Sequence, residues 1–162
     1  MPLVGPLAGV QLSRYWLFKT EPDTYSVDDL KREGRCGWEG IRNYQARNRL
    51  RDEVRAGDQV LIYHSSCAVP AVAGLAEVIG EARPDPSQFD LHSPYFDPKS
   101  STDNPRWVLV DIVWQESFPN MLPLKHIKED PAYAQMELIN RSRLSIQHVP
   151  EDCFRRIVKS CR

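Results

Sequence analysis

The sequence contains no long apolar segment, no excess of charge of one sign and no closely paired cysteines. No stretch approaches the roughly 20 apolar residues that a membrane-spanning helix needs. The net charge is −1 over 162 residues, which argues against a protein that coats nucleic acid by bulk electrostatic attraction. Any contact with phosphate groups must therefore come from a local cluster of basic side chains.

The cysteines form no recognisable zinc motif. None of the four, Cys36, Cys67, Cys153 and Cys161, belongs to a C-x-x-C pair. His64 stands three residues before Cys67, but a single H-x-x-C without a second pair is weak evidence for a metal. We therefore predict no metal and no other cofactor, with free thiols in a reducing compartment.

The N-terminus lacks the features of a signal peptide. Residues 1–13 are mildly apolar, but prolines and glycines interrupt them and no basic start precedes them. We expect residues 1–13 to be a disordered leader and residues 14–162 to form one domain, a length at which a single core is stable. The expected protein is monomeric, has no contact with a membrane and lies in the cytoplasm.

The order of the predicted elements favours an α+β fold. Apolar and aromatic runs predict strands at residues 15–19, 58–65, 71–82, 106–118 and 144–146. Capping residues and apolar periodicity predict helices at residues 25–34, 43–55, 129–141 and 150–160. The strands are not each followed by a helix, and a proline-rich excursion at residues 83–106 separates two of them. We therefore predict a twisted, mixed and barrel-like sheet surrounded by helices.

The helix predicted at residues 43–55 carries two parallel stripes of side chains. Asn43 is placed to cap it. Residues at intervals of four form an apolar stripe and, one position later, a basic stripe; these are Ala46, Leu50 and Val54, and Arg47, Arg51 and Arg55. The helix is therefore expected to bury its apolar stripe and to present guanidinium groups along one flank.

The segment before this helix has the residue types of a pocket for a flat, polar ring. Trp38 lies between two glycines that let the backbone approach a ligand closely, and Asn43 and Tyr44 follow at the helix start. An aromatic ring supplies stacking and an amide reads donors and acceptors. In the alternative interpretation Trp38 fills the core, Asn43 only caps the helix and the arginines are solvated.

Three further polar groups are candidates for site residues. His64, Ser65 and Ser66 end a strand, but no third group orients the histidine, so we interpret them as a polar wall and not as a nucleophile with its base. Lys19 with Glu21 or Glu77 is either a surface ion pair or an acid–base pair. Arg141, Arg143 and Ser145 suggest a second wall with phosphate-binding character.

Several of these segments resemble the EVE domain, a family with a PUA-like fold. The resemblance lies in YWLFKTEP, WEGIRNYQARNRLR, GDQVLIYHSS, GLAEV followed by PDPSQFD, and SRLSIQHV, in that order, and it covers nearly all of residues 15–158. It implies a barrel-like mixed sheet surrounded by helices. Because EVE domains are thought to read modified bases, especially modified cytosine in DNA, it also implies a nucleic acid as partner.

The resemblance also implies roles for individual residues. Trp38, Asn43 and Tyr44 correspond to the base pocket, with the rim and floor at Lys19, His64, Ser65 and Ser66 and the opposite wall at Arg143 and Ser145. Neighbouring phosphates are expected to contact Arg42, Arg47, Arg51 and Arg143. The leading hypothesis is thus a non-catalytic reader that holds one modified base of DNA, a cytosine derivative, in a pocket.

Two rival hypotheses stay open at this stage. The first is a small hydrolase or nucleoside-modifying enzyme of the ASCH type, with Lys19 and Glu21 or Glu77 as acid and base. The second is a reader of modified RNA, because the sequence locates no contact to a 2′-hydroxyl group.

Overall fold

The computed structural model describes residues 14–162, so the leader expected at residues 1–13 lies outside the described range. Six strands and five α-helices follow one another along this part of the chain. The elements are, in order, β1 (Tyr15–Thr20), α1 (Val27–Glu33), β2 (Arg35–Gly37), α2 (Tyr44–Asp52), β3 (Gln59–His64), β4 (Ala71–Pro84), β5 (Val108–Pro123), α3 (Leu124–Glu129), α4 (Glu137–Asn140), β6 (Ile146–His148) and α5 (Glu151–Cys161). Short 3₁₀ turns lie at Pro86–Phe89 and Pro131–Tyr133.

All six strands form one sheet in the order β2-β5-β4-β3-β1-β6. Only β1 and β3 run parallel, and every other neighbouring pair is antiparallel. The predicted α+β class with a mixed sheet is therefore confirmed. Bulges interrupt the pairing of β4 with β5 at three places and bend these long strands.

The sheet buries an apolar core on each of its two faces. The first face packs against α1 and α2 and holds Trp16, Phe18, Trp38 and Leu50. The second face packs against α3, α4 and α5, and its members include Leu17, Tyr63, Ile127 and Phe154. Because neighbouring residues of a strand point to opposite faces, β1 contributes alternately to both cores.

The predicted ends of α1 are confirmed in detail. Ser26 caps the helix by accepting a hydrogen bond from the backbone N–H of Asp29, whose carboxylate bonds back to Ser26. Gly34 ends the helix with a φ of 83°, a conformation that glycine adopts at little cost. No helix in residues 14–162 is long and apolar enough to cross a membrane.

Two predicted helices differ from the structure, and two short elements were not predicted. The helix predicted at residues 129–141 is split into a 3₁₀ turn and α4, because the backbone of Met136 is extended and its side chain is buried. The helix predicted to reach Arg55 ends at Asp52. The elements β2 and α3 were not predicted, since neither short segment has a clear apolar period.

The proline-rich excursion at residues 83–106 is closed by the side chain of Gln88. This side chain is fully buried and donates to the carbonyl oxygens of Asp85 (2.7 Å) and Trp107 (2.8 Å). It also accepts from the backbone N–H groups of Arg106 and Trp107, at 3.1 Å each. One glutamine therefore satisfies backbone groups on both arms of the loop and fixes its two ends together.

Candidate functional site

A cavity of about 380 Å³ opens beside Trp38 on the first face of the sheet. Its walls come from the end of β1, the segment after it, the end of α1, β2, the loop that follows β2 and the proline-rich loop. The lining residues are Thr20, Thr24, Tyr25, Glu33, Cys36, Gly37, Trp38, Glu39 and Tyr95. Three of these are aromatic and two are acidic, and none is a lysine, arginine or histidine. We call this space the Trp38 cavity.

Trp38 itself is held firmly in the core. Its ring lies 5.7 Å from the ring of Phe18 and meets the ring of Tyr25 edge-on at 6.1 Å. Only 6% of the residue is exposed, so it forms a wall of the cavity and not an open stacking platform. The prediction of an aromatic wall fits this position, and so does the alternative in which Trp38 fills the core.

The indole N–H of Trp38 differs from those of the other three tryptophans. Trp16 donates to Asp58 at 2.9 Å, and the indoles of Trp107 and Trp114 donate to Asp97 and Ser117. No acceptor in residues 14–162 bonds the indole of Trp38, and its nitrogen is not completely buried. This N–H is therefore available to a ligand.

Tyr95 closes the cavity by packing directly against the backbone of Gly40. A Cβ atom added at Gly40 would lie 2.7 Å from the Tyr95 ring, and the φ of this glycine is 86°. Both the close approach and the backbone conformation therefore require glycine.

A buried ion pair joins the loop of Trp38 to the proline-rich loop. The carboxylate of Asp85 is completely buried and accepts from the Gly40 N–H (2.9 Å), the Arg42 guanidinium (3.0 Å) and both donors of Ser87. Although burial opposes ionisation, these hydrogen bonds hold the pKa of Asp85 below its usual range. Arg42 also donates twice to the carbonyl of Tyr95, so its guanidinium is used inside the protein.

Asn43 lies in a second depression, an open groove of about 400 Å³. Its side chain caps α2 by accepting from the Ala46 N–H at 2.9 Å, as predicted. The groove is also lined by Gln45 and by residues 141–144. The guanidinium groups of Arg141 and Arg143 have no ion-pair partner within the described part of the chain. We call this depression the Asn43 groove.

Tyr44 lies outside both spaces, in a stack on the surface. Its ring stacks on Trp107 with centroids 4.8 Å apart, and half of the residue is exposed. The guanidinium of Arg47 lies 4.8 Å from the centre of the Tyr44 ring and donates to the carbonyl of Arg106. These contacts attach α2 to the end of the proline-rich loop.

Lys19, Ser65 and Ser66 line a third cavity, of about 310 Å³, near Tyr63. Lys19 pairs with Tyr63 across β1 and β3, and it alternates with Phe18 along its strand. Lys19 therefore lies on the second face of the sheet, opposite to Trp38. Its ammonium group donates to the carbonyl of Ser142, and burial lowers its pKa.

Besides Tyr44, two more of the predicted pocket residues line none of these three spaces. The imidazole of His64 is buried and its Nε2 accepts from the Val27 N–H at 3.1 Å, at the start of α1. Ser145 is half-buried, and its carbonyl accepts from the Lys19 N–H at 3.0 Å. The eight residues predicted to form one pocket are thus distributed over both faces of the sheet.

The other interactions proposed from the sequence are partly realised. Arg51 bonds its neighbour Asp52 at 2.8 and 2.9 Å, and Arg143 faces the Asn43 groove. Within residues 14–162, no ion pair joins Lys19 to Glu21 or Glu77. The acid–base pair of the enzyme hypothesis is therefore not formed.

Sequence reasoning missed the charged residue that anchors α2. Arg49 is buried and forms two hydrogen bonds to Glu137, at 2.6 and 2.9 Å, and a third to the carbonyl of Ile146. The basic character of this helix suggested an exposed face, yet this arginine joins α2 to α4 and β6. In residues 14–162, no three histidine, cysteine, aspartate or glutamate side chains form a group that could hold a metal ion.

Known proteins are similar to this chain over almost its whole length. The sequence matches the EVE domain family over residues 14–160. Human thymocyte nuclear protein 1 is 37% identical over 166 residues, which covers 88% of this chain and 72% of the relative. Curated relatives with this name also occur in mouse, at 36% identity over 90% of this chain.

Solved structures share the fold over almost the whole chain. A protein of Pseudomonas syringae has a TM-score of 0.85 and 40% identity, covering 90% of this chain and 97% of that one. Human THYN1, in complex with DNA that contains 5-methylcytosine, has a TM-score of 0.85 and 35% identity, covering 90% of this chain and 95% of that one. The family match and the relatives agree, and the chain belongs to the EVE domain family.

Proposed function

We propose that this protein is a reader of nucleic acid that takes a modified base, most simply 5-methylcytosine of DNA, into the Trp38 cavity. The observation that carries this proposal is an aromatic cavity of about 380 Å³ in a chain that is 35% identical to human THYN1, itself seen with DNA containing 5-methylcytosine. Cavities of about 300–1,000 Å³ are the usual size of small-ligand sites.

The lining of the Trp38 cavity suits a base and not a phosphate. Trp38, Tyr25 and Tyr95 offer aromatic surface, which favours a flat ring. Among the described residues, Glu33 and Glu39 are the only charged side chains in the lining, and they would repel a phosphate group. The base is therefore expected to enter while its phosphates stay outside.

The Asn43 groove supports the proposal as the place for the neighbouring phosphates. Arg141 and Arg143 line it, and the first turn of α2 has no acidic residue. The positive end of a helix beside two unpaired guanidinium groups attracts phosphate. The groove and the cavity lie on the same face of the sheet, because Leu144 and Trp38 belong to the same core.

The same contacts predict a modest affinity. The guanidinium of Arg42 is bonded to Asp85, and that of Arg51 is bonded to Asp52, so both bind phosphate only by giving up an internal partner. A base in a duplex must also leave the stack before it reaches the cavity, which costs a few kcal/mol. We therefore expect tighter binding to single strands than to duplexes of the same sequence.

The test is fluorescence anisotropy with labelled DNA and RNA oligonucleotides that carry cytosine, 5-methylcytosine or 5-hydroxymethylcytosine at one position. The wild-type protein should bind one modified form more tightly, and Trp38→Phe should weaken that preference without unfolding the protein. Trp114→Phe is the control, because Trp114 packs against the same core but does not line the cavity. Equal affinity for all oligonucleotides, unchanged in Trp38→Phe, would contradict the proposal. Preference for the RNA series would assign the site to RNA.

A further inference from the structure

Glu39 is the one carboxylate of the Trp38 cavity that has no partner within residues 14–162. Neither a hydrogen bond nor an ion pair within residues 14–162 engages it, whereas Glu33 accepts from the Tyr25 hydroxyl at 2.6 Å. Glu39 lies in the loop between Trp38 and Gly40, which the Gly40–Asp85 hydrogen bond holds in place. The backbone of Glu39 is therefore held in place, and its carboxylate oxygens are free to accept hydrogen bonds from a ligand.

The neighbouring polar groups leave the cavity with more acceptors than donors. The Thr20 hydroxyl donates to the carbonyl of Tyr25 at 2.7 Å, and the Tyr25 hydroxyl donates to Glu33. The Trp38 backbone N–H donates to Val110 at 2.8 Å. Within residues 14–162, the donors left without a partner are the Trp38 indole and the hydroxyls of Thr24 and Tyr95, whereas both charged side chains of the lining are carboxylates, which only accept.

We propose that Glu39 accepts a hydrogen bond from the exocyclic amino group of the bound base, so that the Trp38 cavity selects 5-methylcytosine over thymine. This inference rests on the proposed function and adds to it the residue that reads the base edge. The two bases carry the same 5-methyl group and differ at the 4-position, where cytosine has an amino donor and thymine a carbonyl acceptor.

The chemistry of the carboxylate supports this selection. A carbonyl oxygen placed against Glu39 brings two acceptors together with no proton between them. Thymine keeps one donor, its N3–H, but this donor lies between two carbonyl oxygens. The Glu39 carboxylate would repel both of these oxygens. Glu39 is an exposed residue, but partial desolvation of its carboxyl group and the nearby charge of Asp85 raise its pKa, with Arg42 acting in the opposite direction. An amino donor would relieve part of that unfavourable environment.

The experiment compares one single-stranded DNA oligonucleotide with 5-methylcytosine, cytosine or thymine at the same position. We expect wild-type protein to bind the 5-methylcytosine strand about tenfold or more tightly than the thymine strand. In Glu39→Gln the ratio should fall to about threefold or less, because an amide can also donate to the thymine carbonyl. Thermal unfolding confirms that each variant is folded.

Two further variants make the result specific to Glu39. Glu129→Gln makes the same change of charge on α3, which packs on the second face of the sheet, and should keep the wild-type ratio. Glu33→Gln should also keep most of the preference for 5-methylcytosine over thymine. If Glu33→Gln abolishes the selection and Glu39→Gln does not, the inference about Glu39 is overturned.

The outcomes separate this inference from the function on which it rests. Wild-type protein that binds 5-methylcytosine and cytosine equally contradicts the proposed function. Wild-type protein that prefers 5-methylcytosine over cytosine, with a thymine ratio unchanged in Glu39→Gln, contradicts only the role of Glu39. Loss of the thymine discrimination in that variant alone, with the preference over cytosine retained, establishes the amino-group contact.

Discussion

The buried carboxylate of Asp85 accepts a hydrogen bond from the guanidinium of Arg42 at 3.0 Å. Arg42 lies in the loop after Trp38, and Asp85 lies at the start of the proline-rich loop. The pair therefore holds together the two loops that supply Glu39 and Tyr95 to the Trp38 cavity. The shape of the cavity depends on this contact, although neither residue lines it.

Replacing Asp85 by alanine should destabilise the protein strongly. The substitution removes the partner of Arg42 and leaves the N–H groups of Gly40 and Ser87 without an acceptor. Breaking a buried pair in this way costs about 3 kcal/mol or more. The measurement is urea unfolding of wild type and Asp85→Ala. Glu151→Ala breaks an exposed ion pair on α5 and should cost about 0.5 kcal/mol or less. Equal losses in the two variants would contradict this account.

Replacing Gly40 by alanine should both destabilise the protein and weaken base binding. Alanine at a φ of 86° is strained by about 1 kcal/mol. Its Cβ also displaces the Tyr95 ring, and overpacking of this kind adds about 1–3 kcal/mol. Gly57→Ala is a matched control, since its φ is 93° and nothing lies within 4 Å of the added Cβ. Only Gly40→Ala should lower the affinity in the anisotropy assay; a similar loss in Gly57→Ala would exclude a specific role for Tyr95.

The stability of the protein should fall at acidic pH in part through His64. Burial lowers the pKa of His64, opposed by Asp28, and the neutral ring accepts from the Val27 N–H. The unfolded chain therefore takes up the proton first. The stabilisation is complete above about pH 6.5 and is lost as the pH falls towards the lowered pKa of the folded state.

The variant His64→Gln isolates this contribution. Glutamine can still accept from Val27 but does not titrate. The variant should therefore lose less stability than wild type between about pH 7 and about pH 5, a range that brackets the ordinary histidine pKa. His148 also has a lowered pKa and titrates in both proteins, so it cancels in the comparison. Urea unfolding across the pH range is the measurement. Parallel curves for the two proteins would show that His64 does not control the acid response.

Binding to DNA should depend only weakly on salt. With a net charge of −1 and with Arg42 and Arg51 paired internally, we expect contacts to about two or three phosphates. The slope of log K against log salt is then about −1.4 to −2.1 for single strands and about −1.8 to −2.7 for duplexes. Arg143→Gln should reduce the slope by about 1 unit, whereas Arg155→Gln on α5 should leave it unchanged. A slope near −6 or steeper would be inconsistent with the few phosphate contacts proposed here.

The sequence predicted the framework of the fold because its signals are local. The caps of α1 at Ser26 and Gly34 and the buried stripe of α2 follow from capping and periodicity, and the structure confirms them. The split of the helix predicted at residues 129–141 was missed because it depends on burying Met136 in the second core. That is a tertiary contact which no local pattern contains.

The candidate site was harder to predict for the same reason. The sequence predicted one pocket, but Trp38 and Asn43 line two different depressions, and alternation along β1 places Lys19 on the other face of the sheet. The contribution of Tyr95 depends on Asp85 and Arg42, which are 43 positions apart in the sequence. Conversely, the segment PDPSQFD contributed to the family resemblance without a physical explanation, which the buried side chains of Asp85 and Gln88 now supply.

The most direct test of the account is a ¹H–¹⁵N NMR titration of the protein with an oligonucleotide that contains 5-methylcytosine. The indole N–H of Trp38, which has no partner in residues 14–162, should shift, with the backbone signals of Glu39 and Gly40. The indole signals of Trp16 and Trp114, bonded to Asp58 and Ser117, should stay in place. Shifts confined to the third cavity, which Lys19, Ser65 and Ser66 line on the second face, with the Trp38 indole unmoved, would contradict the placement of the base in the Trp38 cavity.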